Sequence, residues 1–208
     1  MSVQASVVLA TARTLLNDDA ANNWTDAALF PKLAQAHREL QIKLRRAAAP
    51  LMKAQYTETI VATNIVFATP PVNLVAPIQL WETSSAGDVS TYALMTEADP
   101  LPNVDQATTM IWWAWVNEVV TFIGSSANRK ILMLYWRSLT IPQVNTDPIG
   151  FINGELYLAP RTAALAAGSV GQAAEMGALA SLADGSLSEV ILSNRGRAPQ
   201  TPGASIKP

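Results

Sequence analysis

Apolar residues recur every third or fourth position between residues 25 and 47: Leu29, Leu33, Ala36, Leu40, Leu44 and Ala47. That spacing places them on one face of a helix. Lys32, Gln35, Glu39, Lys43 and Arg46 fall largely on the other face. Glu39 stands four residues before Lys43, the favourable order for an ion pair within a helix. Arg45 and Arg46 occupy the last turn, where cations meet the negative end of the helix dipole. At ~1.5 Å per residue the rod from Thr25 to Ala47 is roughly 33 Å long. Thr25 is placed to cap it, with Asp26 in the first turn. Trp24 before the cap and Leu29 at the fourth helical position have the spacing of a hydrophobic staple. Pro31 has no N–H for the carbonyl of Ala27. The pattern therefore leaves two forms open: a kinked first turn, or a helix proper that begins near Leu29.

A shorter helix is predicted over residues 3–16, with Val8, Ala12 and Leu15 inward and Val7 and Leu16 as further candidates. Residues 17–23 are loop by composition, so the two helices are expected to form an antiparallel hairpin. Pro50 closes the second. The period then changes. Residues 57–68 are rich in β-branched side chains and predict one strand, or two broken near Asn64. Residues 75–83 predict another, which Pro77 shortens or confines to a sheet edge. Residues 92–95 predict a short strand. Residues 110–116 and 119–123 predict a hairpin turning at Asn117-Glu118, and residues 130–141 the strongest strand.

Helical patterns return at the end of the chain. Asp147-Pro148 reads as a cap followed by proline at the first helical position, opening a helix to Ala167. Gly150, Gly154 and Pro160 argue for a later start, near Glu155. Gly168 is placed as a stop. Ser169 is placed to cap a last helix from Val170 to about Asn194, with Met176, Leu179, Leu182 or Ala183, Leu187, Val190 and Ile191 inward. Separated blocks of helix and strand predict an α+β fold. The expected form has N- and C-terminal helices packed as a bundle, an inserted small antiparallel β-sheet, and an extended C-terminal tail. The expected organisation is one domain over 1–194, helical over 1–50 and 147–194 and β-rich over 56–142, followed by a tail over 195–208.

The N-terminal pattern A-R-x-L-L-N-D, a polar loop, W-T-D, then L-x-x-L-x-x-A-x-R-E-L is carried by Ala12, Arg13, Leu15 to Asp18, Trp24 to Asp26, Leu29, Leu33, Ala36 and Arg38 to Leu40. It resembles the N-terminal signature of bacteriophage head–tail connector (adaptor) proteins. The later order is also similar to that family: a β-rich insertion, a closing strand marked by Leu134, Tyr135, Trp136 and Arg137, then C-terminal helices. Pro71-Val72-Asn73 stands where the family has an acidic Pro-x-Asp.

Composition narrows the chemistry. Half of the 208 residues are apolar and 14% are charged, a globular balance. The formal net charge of −2 leaves no basic footprint for nucleic-acid recognition. The chain has no cysteine, which excludes disulfides, thiolate metal sites and cysteine nucleophiles. MSVQASVVLA lacks the positive charge that opens a secretory signal. No apolar run approaches ~18 residues, so no membrane span is expected.

Few residues invite catalysis. His37, the one histidine, lacks a marked nucleophile and acid and is expected at a surface or interface. Asp18-Asp19 lacks the D-x-D-x-D-G context of a cation loop and reads as solvated loop. No phosphate-binding glycine loop or G-x-S-x-G elbow occurs. Trp112, Trp113 and Trp115 make both faces of one strand apolar. They read as a core strand or as a subunit interface, where tryptophan is enriched. Base stacking on them is disfavoured, because residues 105–128 contain no cation to track a phosphate backbone. In the tail, Arg195, Arg197 and Lys207 supply positive charge and Pro199, Pro202 and Pro208 favour an extended form. Together with Ile206 they read either as a disordered terminus or as a docking segment.

These features predict a structural or interaction protein rather than an enzyme, with no cofactor and no metal. The resemblance implies more. Connector subunits form a ring, typically of twelve copies, between the portal and the tail or tail-completion proteins. Genomic DNA passes through the lumen without sequence recognition. The place implied is the virion neck, after assembly in the bacterial cytoplasm, with Trp112, Trp113 and Trp115 between subunits and the tail on the portal. Another neck or tail-completion protein is the nearest alternative. A cofactor-free enzyme is the alternative of a different class, disfavoured because no acid–base constellation is visible.

Overall fold

The computed structural model describes residues 3–84 and 91–195. In chain order the elements are α1 (Ala5–Leu15), α2 (Asp26–Arg46), a 3₁₀ turn (Pro50–Met52), β1 (Lys53–Ile60), β2 (Leu74–Ser84), β3 (Ala93–Leu94), β4 (Thr96–Glu97), β5 (Trp112–Val116), β6 (Val119–Phe122), β7 (Arg129–Arg137), α3 (Glu155–Ser169) and α4 (Ala173–Arg195). They divide into two compact units. Among the described residues, one joins the chain up to Met52 with the chain from Leu139 onward, and the other runs from Lys53 to Ser138.

In the helical unit, α3 is the element that α1, α2 and α4 all pack against, while α1 touches α2 only slightly. This corrects the expected bundle and its N-terminal hairpin. The cause lies in α3, where Tyr157, Leu158, Ala159, Ala163, Ala164, Ala166 and Ala167 are all buried. A helix that is apolar nearly all round is covered on every side, and alanine lets neighbours approach closely. Leu33, Leu40 and Leu44 of α2 are fully buried. Ala12 of α1, Ala163, Ala164 and Ala167 of α3 and Leu179 of α4 form a second cluster.

Several boundaries differ from the pattern. Helix α2 starts at Asp26 and carries Pro31 within it. Thr25 holds the N-cap position without a side-chain capping bond. Asp147-Pro148 is not a helix start. The Asp147 carboxylate accepts the amides of Gln143 and Val144 (2.8 and 3.1 Å), closing a turn. The carbonyls of Asp147 and Asn145 accept the amides of Ala5 and Ser6 (2.9 and 3.0 Å), satisfying donors that the first turn of α1 leaves free. Gly150 and Asn153 both take positive φ, so helical geometry resumes only at Glu155. Ser169 belongs to the last turn of α3, and Gly171 at φ +82° separates it from α4.

The β unit holds two sheets, not one antiparallel sheet. One is four-stranded, in the order β1-β7-β2-β3, and the other three-stranded, β4-β5-β6. Strand β4 pairs with β5 in parallel. Residues 98–111 join them, a connection long enough for the crossover that parallel neighbours require. Strand β2 lies between β7 and β3 despite Pro77. Its pairing with β3 involves only Trp81 and Glu82, and the register to β7 shifts between Pro77 and Gln79. The proline therefore sits at a bulge with no second strand beside it, which is where sheets accept it. Leu80, Trp113, Phe122, Ile131 and Met133 meet in the core of this unit.

Candidate interaction surfaces

Four residues of the N-terminal signature, Arg13, Asp18, Trp24 and Asp26, converge on one loop. The Asp18 carboxylate accepts three backbone amides, from Asn22 (3.0 Å), Asn23 (3.0 Å) and Trp24 (2.6 Å). Arg13 Nε donates to the Trp24 carbonyl (2.8 Å), and its guanidinium also pairs with Asp26. The other Asp26 oxygen accepts Asn145 Nδ2 at 2.6 Å. Asp18 is therefore a buried loop organiser, not part of a solvated loop as its sequence context suggests. The Trp24 amide above all holds its carboxyl below the usual range; burial, the next-largest effect, opposes it, and the Asn23 and Asn22 amides add to the lowering. Its neighbour Asp19 accepts Thr14 Oγ1 at 2.6 Å.

His37 is fully buried in the helical unit rather than on a surface. Its Nε2 lies 3.0 Å from the Ile149 carbonyl oxygen, and its ring centroid 4.8 Å from that of Phe151. A carbonyl only accepts, so Nε2 carries the hydrogen and Nδ1 accepts from Gln41 Nε2 at 3.0 Å. Gln41 also donates to the Leu139 carbonyl (3.1 Å) and accepts the Leu139 amide (2.9 Å). These two side chains clip the chain returning at Leu139 and Ile149 onto α2. Burial depresses the pKa of His37, and no second ionisable group hydrogen-bonds to it. Glu39 pairs with Arg161 of α3 (2.6 Å) and Lys43 with Asp184 of α4 (2.5 Å). These partners across helices replace the Glu39–Lys43 pair expected within α2.

The three tryptophans divide between two faces. Trp113 pairs with Phe122 and Trp115 with Val120, and directly opposite residues share a face. Trp113, Phe122 and Val120 are buried in the core, with Trp115 packed against them. Trp113, at 2% exposure, is a core residue and offers no surface to a partner. The other face carries Trp112, Ala114 and Val116 of β5 opposite Thr121 and Val119 of β6, with Val66 bridged to Thr121. Val116 (41%), Val119 (46%) and Val66 (36%) are exposed, and Trp112 is half-buried. The sheet is apolar on both sides, and its outer face has no charged side chain among these positions. The hairpin turn consists of Asn117 and Glu118 at φ +49° and +62°, the left-handed pair of a type I′ turn.

Charge is distributed unevenly. Residues 54–128 contain acids but no lysine, arginine or histidine. Glu97, Asp99, Asp105 and Glu118 are exposed and form no ion pair among the described residues. On α2, Arg38, Ile42 and Arg46 are exposed at successive four-residue steps, one stripe of the helix. Neither arginine forms an ion pair among the described residues. In the tail, Arg195 is the exposed last residue of α4, while Arg197, Pro199, Pro202, Ile206 and Lys207 lie outside the described residues.

Among the described residues no group of three or more His, Asp or Glu stands together as a metal site, and no helix is long and apolar enough to cross a membrane. No protein-family model matches the chain, and no curated protein matches it.

Proposed function

We propose that this chain is a structural subunit of a phage neck, a head–tail connector that assembles as a ring between portal and tail and encloses the path of the DNA. The observation that carries the reading is the outer face of the β4-β5-β6 sheet. Trp112, Val116, Val119 and Val66 put apolar surface on a sheet whose other side already packs on the core. An exposed apolar face of this kind is typical of protein contacts. Two further features support it. Four of the residues that resemble the connector signature, Arg13, Asp18, Trp24 and Asp26, are joined directly around one loop. The order of helices, strands and helices also follows the family. On this reading the tail from Arg195 onward docks on the portal.

The test is attachment. The purified chain added to DNA-filled heads that carry a portal but lack a neck is expected to cosediment with them and to slow loss of DNA. A version ending at Arg195 is expected to remain folded and to bind them weakly. Heads that neither bind the full chain nor retain DNA in its presence contradict the reading.

A further inference from the structure

We infer that the exposed cationic ridge of α2 is the surface of this chain that meets DNA, holding the phosphate backbone of the duplex without reading its sequence. The inference rests on the neck reading above and assigns the subunit surface that faces the enclosed duplex. Helix α2 carries five cations against two acids. Both acids are already paired, Asp26 with Arg13 and Glu39 with Arg161, and Lys43 pairs with Asp184. Lys32, Arg38, Arg45 and Arg46 are left with no ion-pair partner among the described residues. Pro31, Gln35, Arg38, Ile42 and Arg46 are exposed at steps of three and four residues, with Lys32 and Arg45 partly exposed beside them. That spacing makes one ridge, and no unpaired acid of α2 interrupts it. The net charge of −2 conceals the ridge, because unpaired acids lie elsewhere, Glu97, Asp99, Asp105 and Glu118 among them.

A protein partner fits this surface poorly. The core of a protein contact is depleted of charge, and Ile42 is the one large apolar side chain among the exposed positions of the ridge. A polyanion fits it well. From Lys32 to Arg46 the ridge runs about 21 Å along the helix axis, a length over which duplex DNA presents about a dozen phosphate charges. Three of the four unpaired cations are arginines, whose planar fork of donors takes two phosphate oxygens at once. Contacts to phosphate position the duplex and carry no sequence information. A basic stripe along one helix is the electrostatic footprint of such binding. A few charges per copy suffice, because a ring presents the same ridge to the duplex many times.

The experiment measures binding of the full chain to short fluorescent DNA duplexes of two unrelated sequences, by anisotropy over a salt series. The wild type is expected to bind both equally. Four phosphate contacts predict a loss of affinity of roughly a hundredfold between about 50 and 200 mM salt, an arm that needs no variant. R38Q/R46Q removes two of the four contacts and is expected to halve the slope of log affinity against log salt. R38K/R46K keeps the charge and is expected to retain the slope. Both positions are exposed, so the glutamine variant is expected to keep the wild-type circular dichroism spectrum, oligomeric mass and attachment to portal-bearing heads. Heads that carry it are expected to lose DNA faster than heads that carry the wild type.

A wild-type chain that assembles and attaches to heads but binds neither duplex at low salt overturns the inference and leaves the neck reading intact. The same holds if R38Q/R46Q binds DNA with the affinity and salt slope of the wild type. Loss of oligomeric mass or of head attachment by R38Q/R46Q, with duplex binding unchanged, gives the ridge to a protein contact and overturns the inference. A chain that binds duplex through Arg38 and Arg46 yet stays monomeric supports the ridge and overturns the ring.

Discussion

Gln41 donates a hydrogen bond to Nδ1 of His37, one helical turn earlier on α2, at 3.0 Å. The bond requires the neutral imidazole, because a protonated Nδ1 would face a donor. Burial opposes the charge as well, and His37 is the only histidine. Its pKa is lowered from 6.5 in the folded chain. Between that depressed value and 6.5 the unfolded chain binds more protons, so stability rises with pH across the window and falls as the solution is acidified below about 6.5. The carboxyls held low by hydrogen bonds, Asp18 and Asp26 among them, act in a lower window, lost only as pH falls below their ordinary value of 3.8. Denaturation midpoints at pH 7.5 and 5.5 are expected to differ in the wild type. They should nearly coincide in His37→Phe, which is itself less stable by about 1–3 kcal/mol because the Ile149 carbonyl loses its donor.

The two faces of the tryptophan strand give separable outcomes. Trp113→Ala removes a core ring and is expected to cost about 3–5 kcal/mol in urea denaturation. Val116→Ser with Val119→Ser touches only the outer face. That pair is expected to leave the midpoint nearly unchanged while lowering the mass of the assembled species. A large stability loss from the valine pair would place these residues in the core.

Glu118 sits at φ +62° in the hairpin turn, a conformation that costs a residue with a Cβ roughly 1–2 kcal/mol. Glu118→Gly is expected to stabilise the β unit by about 0.5–1 kcal/mol, because Asn-Gly is the preferred type I′ pair. Thermal denaturation reads the sign, and a lower midpoint contradicts the turn geometry.

Leu40 is fully buried in α2. Leu40→Ala is expected to cost about 2–5 kcal/mol, according to how far the surrounding side chains collapse into the space. Ile42→Ala, two residues on and 43% exposed, is expected to cost well under half as much.

How much was legible in the chain depended on how local the causes are. The α2 helix shows itself through leucine spacing, and the hairpin through a polar pair set between two apolar runs. Both signals lie within a few residues. His37 was readable in principle, since Leu33, His37, Leu40 and Leu44 share one stripe, but only the Ile149 carbonyl, distant in sequence, explains why imidazole is tolerated there. Asp18 and Asp147 carry the composition of a loop and a cap. What they do depends on which backbone amides the fold turns toward them. The parallel pairing of the second sheet was hidden because β4 is two residues long and takes its place from β5, across residues 98–111. The pattern around Arg13 and Trp24 does not reveal that these residues bind one another. Arg197, Pro199, Pro202, Ile206 and Lys207 lie outside the described residues, and the docking proposed for them rests on composition and resemblance.

The mass of the full-length chain in solution, measured over a concentration series alone and with isolated portal rings, tests the central claim most directly. The account predicts a closed ring of about twelve copies formed through repeated unlike contacts, bound to the portal when it is present. A chain that stays monomeric across the series, and leaves the portal ring unbound, contradicts it.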